Sequence, residues 1–426
     1  MDNVRHIIKE YLPAPLFRAL QPYYHLTLAW WGAVKYRHPS RKLTVIAVTG
    51  TKGKSTTTEL IAHLLQAGGK KTASLSTIQF SVNGVTKPNL FKMTMPGRYF
   101  VQKFLREAVN AGCTHAVVEM TSEGARQFRH KFIDIDALVF TNLTPEHIES
   151  HGSFEKYKAA KLSLAQAVAA SPKRPRMIVA NVDDEHGDDF LNMEVEKRIP
   201  YSLQNLSLHT LHKDSISLVL EGITIRVPIV GLFNVYNVLA AIKTAEEFGV
   251  PIEVSAEALR TLPPIAGRVE HFYTHKDATK QITAVVDYAH TPDSLEQFYQ
   301  AFPDKQKVCV LGNTGGGRDT WKRPKMAAIA EQYCNHIILT NEDPYDENPR
   351  KIVDEMAAGV ADKSKLSIIM DRREAIKAAV DMAPYGAYVL VTGKGTDPYI
   401  MGPNGTKTPW SDAQVVKETL ATLIPK

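Results

Sequence analysis

The stretch TVIAVTGTKGKST, residues 44–56, constrains the fold of this chain more than any other. TVIAV is a β-branched apolar run typical of a strand buried on both faces. The glycine-rich segment after it opens TTELIAHLLQ, whose apolar residues recur at helical spacing. A strand that feeds a glycine-rich turn and then a helix points backbone N–H groups and the positive helix end at one place. The stretch therefore predicts a shortened phosphate-binding loop, with Lys54 on the outer phosphates and the Ser55 hydroxyl on Mg²⁺.

Length and charge limit what the rest of the chain can be. At 426 residues it is too long for one typical core, so we expect two or three domains. The formal net charge is +6, and residues 1–42 alone hold seven basic and two acidic residues. The remainder is close to neutral, which argues against a nucleic-acid partner.

The cysteines and the apolar stretches predict the compartment. Cys113, Cys309 and Cys334 show neither metal-binding nor redox-motif spacing, so we expect neither disulfides nor a zinc cluster. No stretch is long and apolar enough to span a bilayer, and the N-terminus has no secretion signal. We therefore expect a cytosolic protein.

Strand-like and helical stretches alternate after residue 42, which indicates βαβ units and a parallel sheet. Short polar–apolar alternation between about 201 and 230 predicts antiparallel strands, and Pro263–Gly267 is typical of a linker. The alternation then restarts. We predict an α/β protein with a basic, aromatic helical segment (1–42), a phosphate-loop, parallel-sheet ATPase domain (43–266) and a Rossmann-like α/β C-terminal domain (267–426).

Several polar residues follow predicted strands, where open α/β sheets bind their ligands. Glu119 lies at the end of the strand predicted from HAVVEM, and it either completes a Mg²⁺ shell begun by Ser55 or is a surface acid in a turn. His147 and Lys161 lie among acids in TNLTPEHIESHGSFEKYKAAK, and each alone is uninformative. Asp287 comes just past another strand. These residues are candidates whose meaning depends on their combination.

In combination and in this order, the motifs resemble the Mur ligases, and within them the branch that adds the third peptide residue to a muramyl dipeptide. The resemblance covers roughly residues 43–420 and rests on GTKGKST, the Met93–Pro96 loop, GLFNVYNVLAA, AGRVE, DYAHTPD, GGGRDTWKRP and GKGTD. It implies an ATP-dependent, ADP-forming ligase of peptidoglycan precursor synthesis. Such an enzyme activates a carboxylate as an acyl phosphate and joins it to an amino acid. The partners would be a muramyl-peptide substrate and a free amino acid.

The resemblance also implies roles for individual residues. ATP would contact Gly50, Thr51, Lys52, Gly53, Lys54, Ser55 and Thr56. Its adenine and ribose would be held by Asn237, Arg268 and Asp287. The catalytic residues would be Lys54, Glu119, His147 and Lys161. Two Mg²⁺ ions would be held by Ser55, Glu119, His147 and a carbamylated Lys161. The two substrates would contact Thr94, Met95, Pro96, Ser122, Arg129, His290, Arg318, Asn341, Glu342, Asp343, Pro344, Gly393 and Asp397.

The chain departs from the family pattern at three places. Glu123 stands where the family usually has histidine, and Thr396-Asp397 replaces the usual His-Glu after GKG. The amino-acid-selecting loop reads NEDPY, so the arginine that would pair with the distal carboxylate of diaminopimelate is absent. This loop is rich in acids, which predicts an acceptor with a cationic side chain, such as lysine or ornithine; the acids are Glu342, Asp343, Asp346 and Glu347.

Residues 1–42 show no counterpart of the UDP-binding domain of about a hundred residues that the family carries at its N-terminus. The segment holds two of the four tryptophans, Trp30 and Trp31, among basic residues. One interpretation is a membrane-surface or lipid-carrier contact that makes the protein peripheral to the inner membrane face. The other is an amphipathic helical pair packed on the ATP domain or on a dimer partner.

Two further functions stay open on the sequence. A folylpolyglutamate synthetase-like ligase would share the ATP loop, although DYAHTPD and the Met93–Pro96 loop argue against it. A nucleotide-binding regulator that has lost ligase activity would also keep the loop. Retention of the four predicted catalytic residues argues against that hypothesis.

Overall fold

The computed structural model describes residues 14–146, 148–274, 281–302, 305–317 and 319–423. They form two compact units. The first contains the described residues up to Leu203 together with Leu239–Ser255, and the second contains Gln204–Val238 and the described residues from Ala256 onward. The predicted α/β class is confirmed, because strands and helices alternate in both units. The boundaries predicted at residues 42 and 266 stay a prediction.

An eight-stranded sheet forms the centre of the described first unit. Its strands are β1 (Thr44–Thr49), β2 (Thr72–Leu75), β3 (Gln79–Val82), β4 (Val85–Pro88), β5 (His115–Glu119), β6 (Ala137–Phe140), β7 (Met177–Asn181) and β8 (Lys197–Tyr201). Their spatial order is β4-β3-β2-β5-β1-β6-β7-β8. The six strands from β2 to β8 in this order are parallel, and β3 and β4 add an antiparallel edge. The strand predicted from TVIAV therefore lies in the middle of the sheet, where every residue after Thr44 is buried.

The helices of this unit follow the strands as the sequence predicts. They are α1 (Ala14–Lys35), α2 (Lys54–Ala67), α3 (Arg98–Asn110), α4 (Ser122–Arg126), α5 (Ile148–His151), α6 (Phe154–Ala169) and α7 (Gly187–Leu191). Val45 and Ala47 of β1 share one core with Phe104 of α3 and Leu164 of α6. Successive strand residues point to opposite faces, so the buried state of Ile46 shows that the other face is covered as well. The chain then continues through α8 (Leu232–Glu247) and α9 (Ile252–Arg260).

The second unit contains three sheets in its described residues. The predicted antiparallel strands form a sheet of β9 (Leu208–Leu211), β10 (Ile216–Leu220) and β11 (Ile223–Val227). The main sheet is formed by β12 (Glu270–Tyr273), β13 (Thr283–Val286), β14 (Lys307–Leu311), β15 (His336–Leu339), β16 (Leu366–Ile368) and β17 (Tyr388–Val391). Its order is β12-β13-β17-β14-β15-β16, and β12 alone is antiparallel to its neighbour. A small hairpin pairs β18 (Tyr399–Met401) with β19 (Lys407–Pro409).

Helices pack on both faces of the main sheet. Cys309 and Leu311 of β14 belong to one core, whereas Val308 and Val310 belong to another, as the alternation of side chains along a strand requires. The helices of this unit are α10 (Pro292–Gln300), α11 (Lys322–Tyr333), α12 (Pro349–Ala357), α13 (Arg372–Met382) and α14 (Asp412–Leu423). Short 3-10 turns lie at Pro39–Lys42, Leu203–Asn205, Lys363–Lys365 and Pro403–Gly405.

The prediction that the cysteines form no disulfide is wrong for two of them. Cys309 and Cys334 are bonded, with their Cα atoms 6.1 Å apart. Cys309 lies in the middle of β14, and Cys334 directly follows α11, which brings the chain back to the sheet. A separation of 25 residues through a helix has no sequence signature, which is why the spacing did not reveal the pair. Cys113 is unpaired and buried, as expected.

Among the described residues, no helix has both the length and the apolar character that crossing a membrane requires.

Candidate active site

The phosphate loop connects β1 to α2 in the first unit. Gly50 has a φ of 151° and Gly53 a φ of 78°, which are backbone conformations that favour glycine. A Cβ at Gly50 would also collide with the Thr141 hydroxyl. Gly53 is the residue before Lys54, the first residue of α2. The loop therefore needs both glycines, and it directs the N-terminus of a 14-residue helix toward the place where a phosphate would bind.

Residues after β6 hold this loop in place. Thr51 N donates to Asn142 O at 2.8 Å, and Lys52 N donates to Asn142 Oδ1 at 2.9 Å. Thr141 Oγ1 donates to Lys52 O at 2.6 Å. Lys54 Nζ donates to Thr51 O at 2.8 Å, so the predicted phosphate lysine lies over its own loop. These bonds fix the loop before any ligand contributes.

Glu119 ends β5 inside the protein, so its interpretation as a surface acid is wrong. Ser55 Oγ donates to Glu119 Oε2 at 2.9 Å, and Thr77 donates to the same carboxylate through its N–H at 2.7 Å and its hydroxyl at 3.1 Å. The structure thus brings together the two residues predicted to share a magnesium ion. A carboxylate and a hydroxyl are hard oxygen donors of the kind that Mg²⁺ binds.

Lys161 lies on α6 and is 1% exposed. Its Nζ donates to Gly50 O in the phosphate loop and lies 4.9 Å from the centre of the Tyr157 ring. Burial lowers the pKa of Lys161 well below its usual value, and the nearby Lys54 charge lowers this pKa further. Glu146 and Glu119 act in the opposite direction. The charged form of this side chain is therefore disfavoured beside the phosphate loop.

Glu146 is a residue of this site that the sequence analysis did not select. Its charge acts on Lys161, on Tyr157 and on Lys52, whose pKa burial lowers to about 8. Its position directly before His147 was the available signal. His147 itself, predicted as a metal ligand, lies outside the described residues. Among the residues that are described, no group of three or more His, Cys, Asp and Glu side chains could hold a metal ion.

The predicted muramyl loop lies next to Glu119. Thr94 Oγ1 and Thr77 Oγ1 are 2.7 Å apart, so one chain of hydrogen bonds runs from Ser55 through Glu119 and Thr77 to Thr94. Met95 is buried, and Pro96 follows it in the loop before α3.

Arg129 and α4 support the same loop. Arg129 Nη1 donates to Met95 O, and Gly124 of α4 approaches Met95 so closely that a Cβ there would be 2.6 Å from the sulfur. Ser122 is the buried first residue of α4. Glu123, the departure from the family pattern, forms an ion pair of 2.8 Å with Arg126 on its own helix.

Arg268 and Asp287, predicted for the adenine and ribose, come together in the second unit. Asp287 accepts from Val269 N at 2.8 Å and from Ala289 N at 2.7 Å. The Arg268 guanidinium lies 4.6 Å from the centre of the Tyr288 ring. Burial raises the pKa of Asp287, and the Arg268 charge opposes the rise. The third predicted residue, Asn237, is buried on α8, where its Nδ2 donates to Asn234 Oδ1 at 2.9 Å.

The predicted acceptor residues also come together in the second unit. Lys394 is 0% exposed and donates to both oxygens of Asp343, at 2.9 and 3.0 Å, and to Asp397 at 3.5 Å. Gly393 has a φ of 106°, and a Cβ there would collide with the Glu342 carboxylate. The loop after β15 and the GKGTD turn after β17 therefore pack directly against each other. Further members are Asn341, whose N–H donates to Met370 O at 3.3 Å, and the buried Pro344.

Two predicted substrate residues remain, His290 and Arg318, and the structure describes the first of them. His290 Nδ1 donates to Tyr288 O at 2.7 Å, close to Arg268 and Asp287. Arg318 lies outside the described residues.

Most of the acids in the acceptor loop have partners within the protein. Lys394 neutralises Asp343, and Arg323 binds Glu347 at 2.7 Å. Asp346 Oδ1 accepts from Asn404 N at 2.7 Å. Glu342 is buried and accepts from Thr314 Oγ1 at 3.0 Å, and no described lysine or arginine forms an ion pair with it. Among the described residues, cations thus pair with Asp343 and Glu347, and of the other two acids Glu342 is the buried one.

Comparisons with known proteins agree with this geometry. Residues 48–245 match a family model described as the Mur ligase middle domain, and residues 267–395 match one described as the Mur ligase, glutamate ligase domain. A UDP-N-acetylmuramoyl-L-alanyl-D-glutamate–2,6-diaminopimelate ligase of Thermosynechococcus vestitus is 37% identical over 380 residues, which is 86% of this chain and 75% of the relative. A UDP-N-acetylmuramyl-tripeptide synthetase of a Roseiflexus species is 34% identical, over 97% of this chain and 85% of the relative.

Solved structures show the same likeness. A UDP-N-acetylmuramoyl-L-alanyl-D-glutamate–2,6-diaminopimelate ligase has a TM-score of 0.60 at 31% identity, over 89% of this chain and 79% of that one. A folylpolyglutamate synthase of Mycobacterium tuberculosis has a TM-score of 0.69 at 16% identity, over 87% and 93% of the two chains. The second likeness shows a shared fold alone.

Proposed function

Because the chain belongs to the Mur ligase family of ATP-dependent, ADP-forming ligases, we propose that it adds the third residue to a muramyl dipeptide in peptidoglycan precursor synthesis. The names of the relatives that are 37% and 34% identical support this donor. The support for the folylpolyglutamate alternative is a likeness to structures at 16% identity, which concerns the fold alone. The reaction is proposed to take place in the cytoplasm, with residues 1–42 as a peripheral contact to the inner membrane face.

The hydrogen-bonded chain from Ser55 through Glu119 and Thr77 to Thr94 carries this proposal. It joins the phosphate loop to the loop that would bind the muramyl donor. A nucleotide-binding regulator would need only the first of these loops. A ligase needs both, because the donor carboxylate must meet the γ-phosphate of ATP in line.

The chemistry follows from that arrangement. The terminal carboxylate of the donor attacks the γ-phosphorus of ATP, ADP leaves, and an acyl phosphate forms. The amine of the amino acid then attacks the acyl carbon, loses a proton and expels phosphate, which leaves an amide. Lys54 would lie on the outer phosphates, and Arg268, Asp287 and Asn237 would hold the adenosine. The protein mainly positions the reactants and neutralises charge.

Magnesium fits the first unit through the donors already described. Ser55 and Glu119 would hold one ion, and Glu119, His147 and a carbamylated Lys161 a second. When bound, Mg²⁺ supplies positive charge against the phosphate oxygens.

The state of Lys161 supports the carbamate. The neutral form of the amine attacks CO₂, a C–N bond forms, and one proton leaves to solvent, so that a neutral side chain becomes an anionic oxygen ligand. An ordinary solvated lysine is protonated at neutral pH and cannot do this. Burial beside Gly50 lowers the pKa of Lys161 and so favours the reactive neutral form.

The acceptor is proposed to be an amino acid with a cationic side chain, lysine or ornithine, bound by Asn341–Tyr345, Gly393 and Asp397. The support is the buried Glu342 carboxylate, since Asp343 is already neutralised by Lys394. A second carboxylate on the acceptor, as in diaminopimelate, would lie against this negative charge.

Phosphate release from ATP tests the proposal. We expect release only when both a muramyl dipeptide and an amino acid are present, with lysine or ornithine turned over faster than diaminopimelate. Glu119→Gln should abolish release, whereas Glu257→Gln, a change at an exposed acid of the second unit, should not. Release without a donor would favour the regulator, and turnover of a folate instead would favour the folylpolyglutamate ligase.

The same assay tests the acceptor. Glu342→Gln should lower kcat/KM for lysine by about tenfold, the effect of losing one favourable charge contact. Asp354→Asn, at an exposed acid of the second unit outside this loop, is the control. Faster turnover with diaminopimelate than with lysine would contradict the cationic acceptor.

A further inference from the structure

Helix α1 presents a continuous row of apolar side chains to solvent. The row recurs at spacings of three and four residues, so it occupies one face of the helix. Trp30 and Trp31 are 51% and 53% exposed, and Tyr23 is 70% exposed. We call this face the aromatic stripe; it consists of Leu20, Tyr23, Tyr24, Thr27, Trp30, Trp31 and Val34. A row of large apolar side chains of this kind marks an interaction surface.

The opposite face of α1 anchors the helix to the rest of the first unit. Ala29 and Ala33 are buried, and Gly32 approaches α3 so closely that a Cβ there would lie 3.3 Å from Tyr99 Cα. Arg106 of α3 donates to Tyr36 O at 2.9 Å. This contact places α1 on the first unit, while the side chains of the stripe are exposed in the single chain. Small residues make the packing contact, and the tryptophans point away from it.

The charge around the stripe is positive. Ala14–Lys35 contains no acidic residue. Exposed basic residues follow within two helical turns of its end, namely Lys35, Arg37, Arg41 and Lys42. Of these, Arg41 contacts Asp134 at 3.2 Å, and Lys35 lies 5.0 Å from the centre of the Tyr99 ring. Tryptophan and tyrosine next to lysine and arginine are typical of helices that lie at the headgroup boundary of an anionic bilayer.

A second exposed apolar feature packs on α3, the helix that also contacts α1. Leu90, Phe91 and Met93 are exposed in the loop that leads to Thr94 and Met95. Asn89 fixes this loop by donating to Ser76 O and Met93 O, each at 3.0 Å. The Phe91 ring lies 5.0 Å from that of Phe100 on α3, the residue next to Tyr99. The first turn of α3 thus contacts both α1 and the loop that would bind the donor.

We infer that the aromatic stripe docks the protein on an anionic lipid bilayer and so holds the donor loop at the membrane surface. The inference of docking depends only on the exposed aromatic stripe and on the basic residues beside it. The part that concerns the donor loop rests on the proposed function. The stripe lies on the surface and does not cross it, since no described helix is able to span a membrane.

Co-sedimentation of the full chain with vesicles tests the docking. We expect binding to vesicles that contain phosphatidylglycerol, little binding to pure phosphatidylcholine, and release at high salt. Trp30→Ser with Trp31→Ser should weaken binding at least ~10-fold, because each buried aromatic ring is a large part of such an interaction. Leu208→Ser with Tyr385→Ser, at exposed apolar positions of the second unit, should bind as the unchanged protein does.

Two further measurements keep the test decisive. If the tryptophan variant unfolds, Arg37→Glu with Lys42→Glu should still weaken binding to anionic vesicles while circular dichroism stays unchanged. Equal binding by the tryptophan variant and the unchanged protein would overturn the inference. So would a dimer, seen by light scattering, that the tryptophan variant loses without any binding to vesicles, since the stripe would then join two copies of the chain.

The ligase assay separates this inference from the proposed function. The tryptophan variant should release phosphate from ATP at the unchanged rate when the donor is soluble. Vesicle binding without any ligase activity would contradict the proposed function and leave the docking intact.

Discussion

Each unit of this protein buries one lysine among residues predicted for the active site, and the two lysines have opposite surroundings. Lys394 donates to both oxygens of Asp343 and contacts Asp397. Lys161 donates to a backbone carbonyl, that of Gly50, and none of the described carboxylates lies within ion-pair distance of it. Carboxylates neutralise the charge of the first lysine, whereas burial disfavours the charged form of the second by lowering its pKa.

This difference separates a structural lysine from a reactive one. Lys394 ties the GKGTD turn to the loop after β15 through Asp343. Its ammonium also donates to Tyr399 O at 2.6 Å. Removing it would leave Asp343 buried without its counter-charge. The lowered pKa of Lys161 favours the neutral amine, which is the form that can react with CO₂. Burial alone therefore says nothing about role, and the partner atoms decide it.

The largest effect is expected at Lys161. Lys161→Ala should lower ligase activity by ~10³-fold or more, since several kcal/mol of charge stabilisation at the phosphate would be lost. Short carboxylic acids such as acetate should restore part of the rate by supplying the missing oxygen ligand. Steady-state phosphate release measures both effects. A fully active alanine variant would remove the distinction between the two lysines.

The next largest effect is expected at Lys394 and concerns stability. Lys394→Ala should lower the free energy of unfolding by about 3–5 kcal/mol, because an unpaired carboxylate would stay buried. Lys351→Ala, at a side chain that is largely exposed, should change the free energy by less than about 0.5 kcal/mol. Urea unfolding measures both. A loss below about 1 kcal/mol at Lys394 would mean that the ion pair with Asp343 does not hold the loop.

Much of the first unit could be predicted from the sequence, because local rules determine it. The apolar run of β1 and the glycines Gly50 and Gly53 predict the loop, and its position after a central strand follows from parallel-sheet topology. Ser55 and Glu119 then meet because they lie at the carboxyl ends of neighbouring parallel strands, Ser55 just beyond β1 and Glu119 at the end of β5. Such contacts depend on strand order and strand ends, which a pattern of residue types reveals.

The features that the sequence did not predict depend on contacts between distant segments. The acidic loop looked uniformly negative because Lys394, 51 residues from Asp343, has no signature as its partner. The bond between Cys309 and Cys334 depends on how far α11 carries the chain. The exposure of Trp30 depends on which face of α1 packs on α3. The face with small residues makes this contact because it allows the closest approach of the two helices. None of these is visible in residue spacing.

A smaller effect, on the pH dependence of the free energy of unfolding, is expected at Lys52, whose surroundings are intermediate between those of Lys161 and Lys394. Burial lowers its pKa to about 8, whereas an unfolded lysine has a pKa near ~10.4. Between these values the folded chain binds fewer protons than the unfolded chain, so stability rises with pH in this window. We expect a rise of about 1–2 kcal/mol after allowance for the solvent-accessible part of the side chain.

Urea unfolding between pH 8 and 10 measures this rise. Lys52→Met should remove it, and Lys351→Met should retain it, since Lys351 is exposed. The same pH slope in the unchanged protein and in Lys52→Met would show that Lys52 keeps its charge in the folded chain.

Incubation with ¹³C-labelled bicarbonate, followed by ¹³C NMR, tests the reactive role of Lys161 most directly. We expect one labelled carbamate in the unchanged protein, its loss in Lys161→Ala, and its retention in Lys394→Arg, which keeps a cation beside Asp343. A label that survives Lys161→Ala, or no label in the unchanged protein, would contradict the account of Lys161 as the amine that becomes a metal ligand.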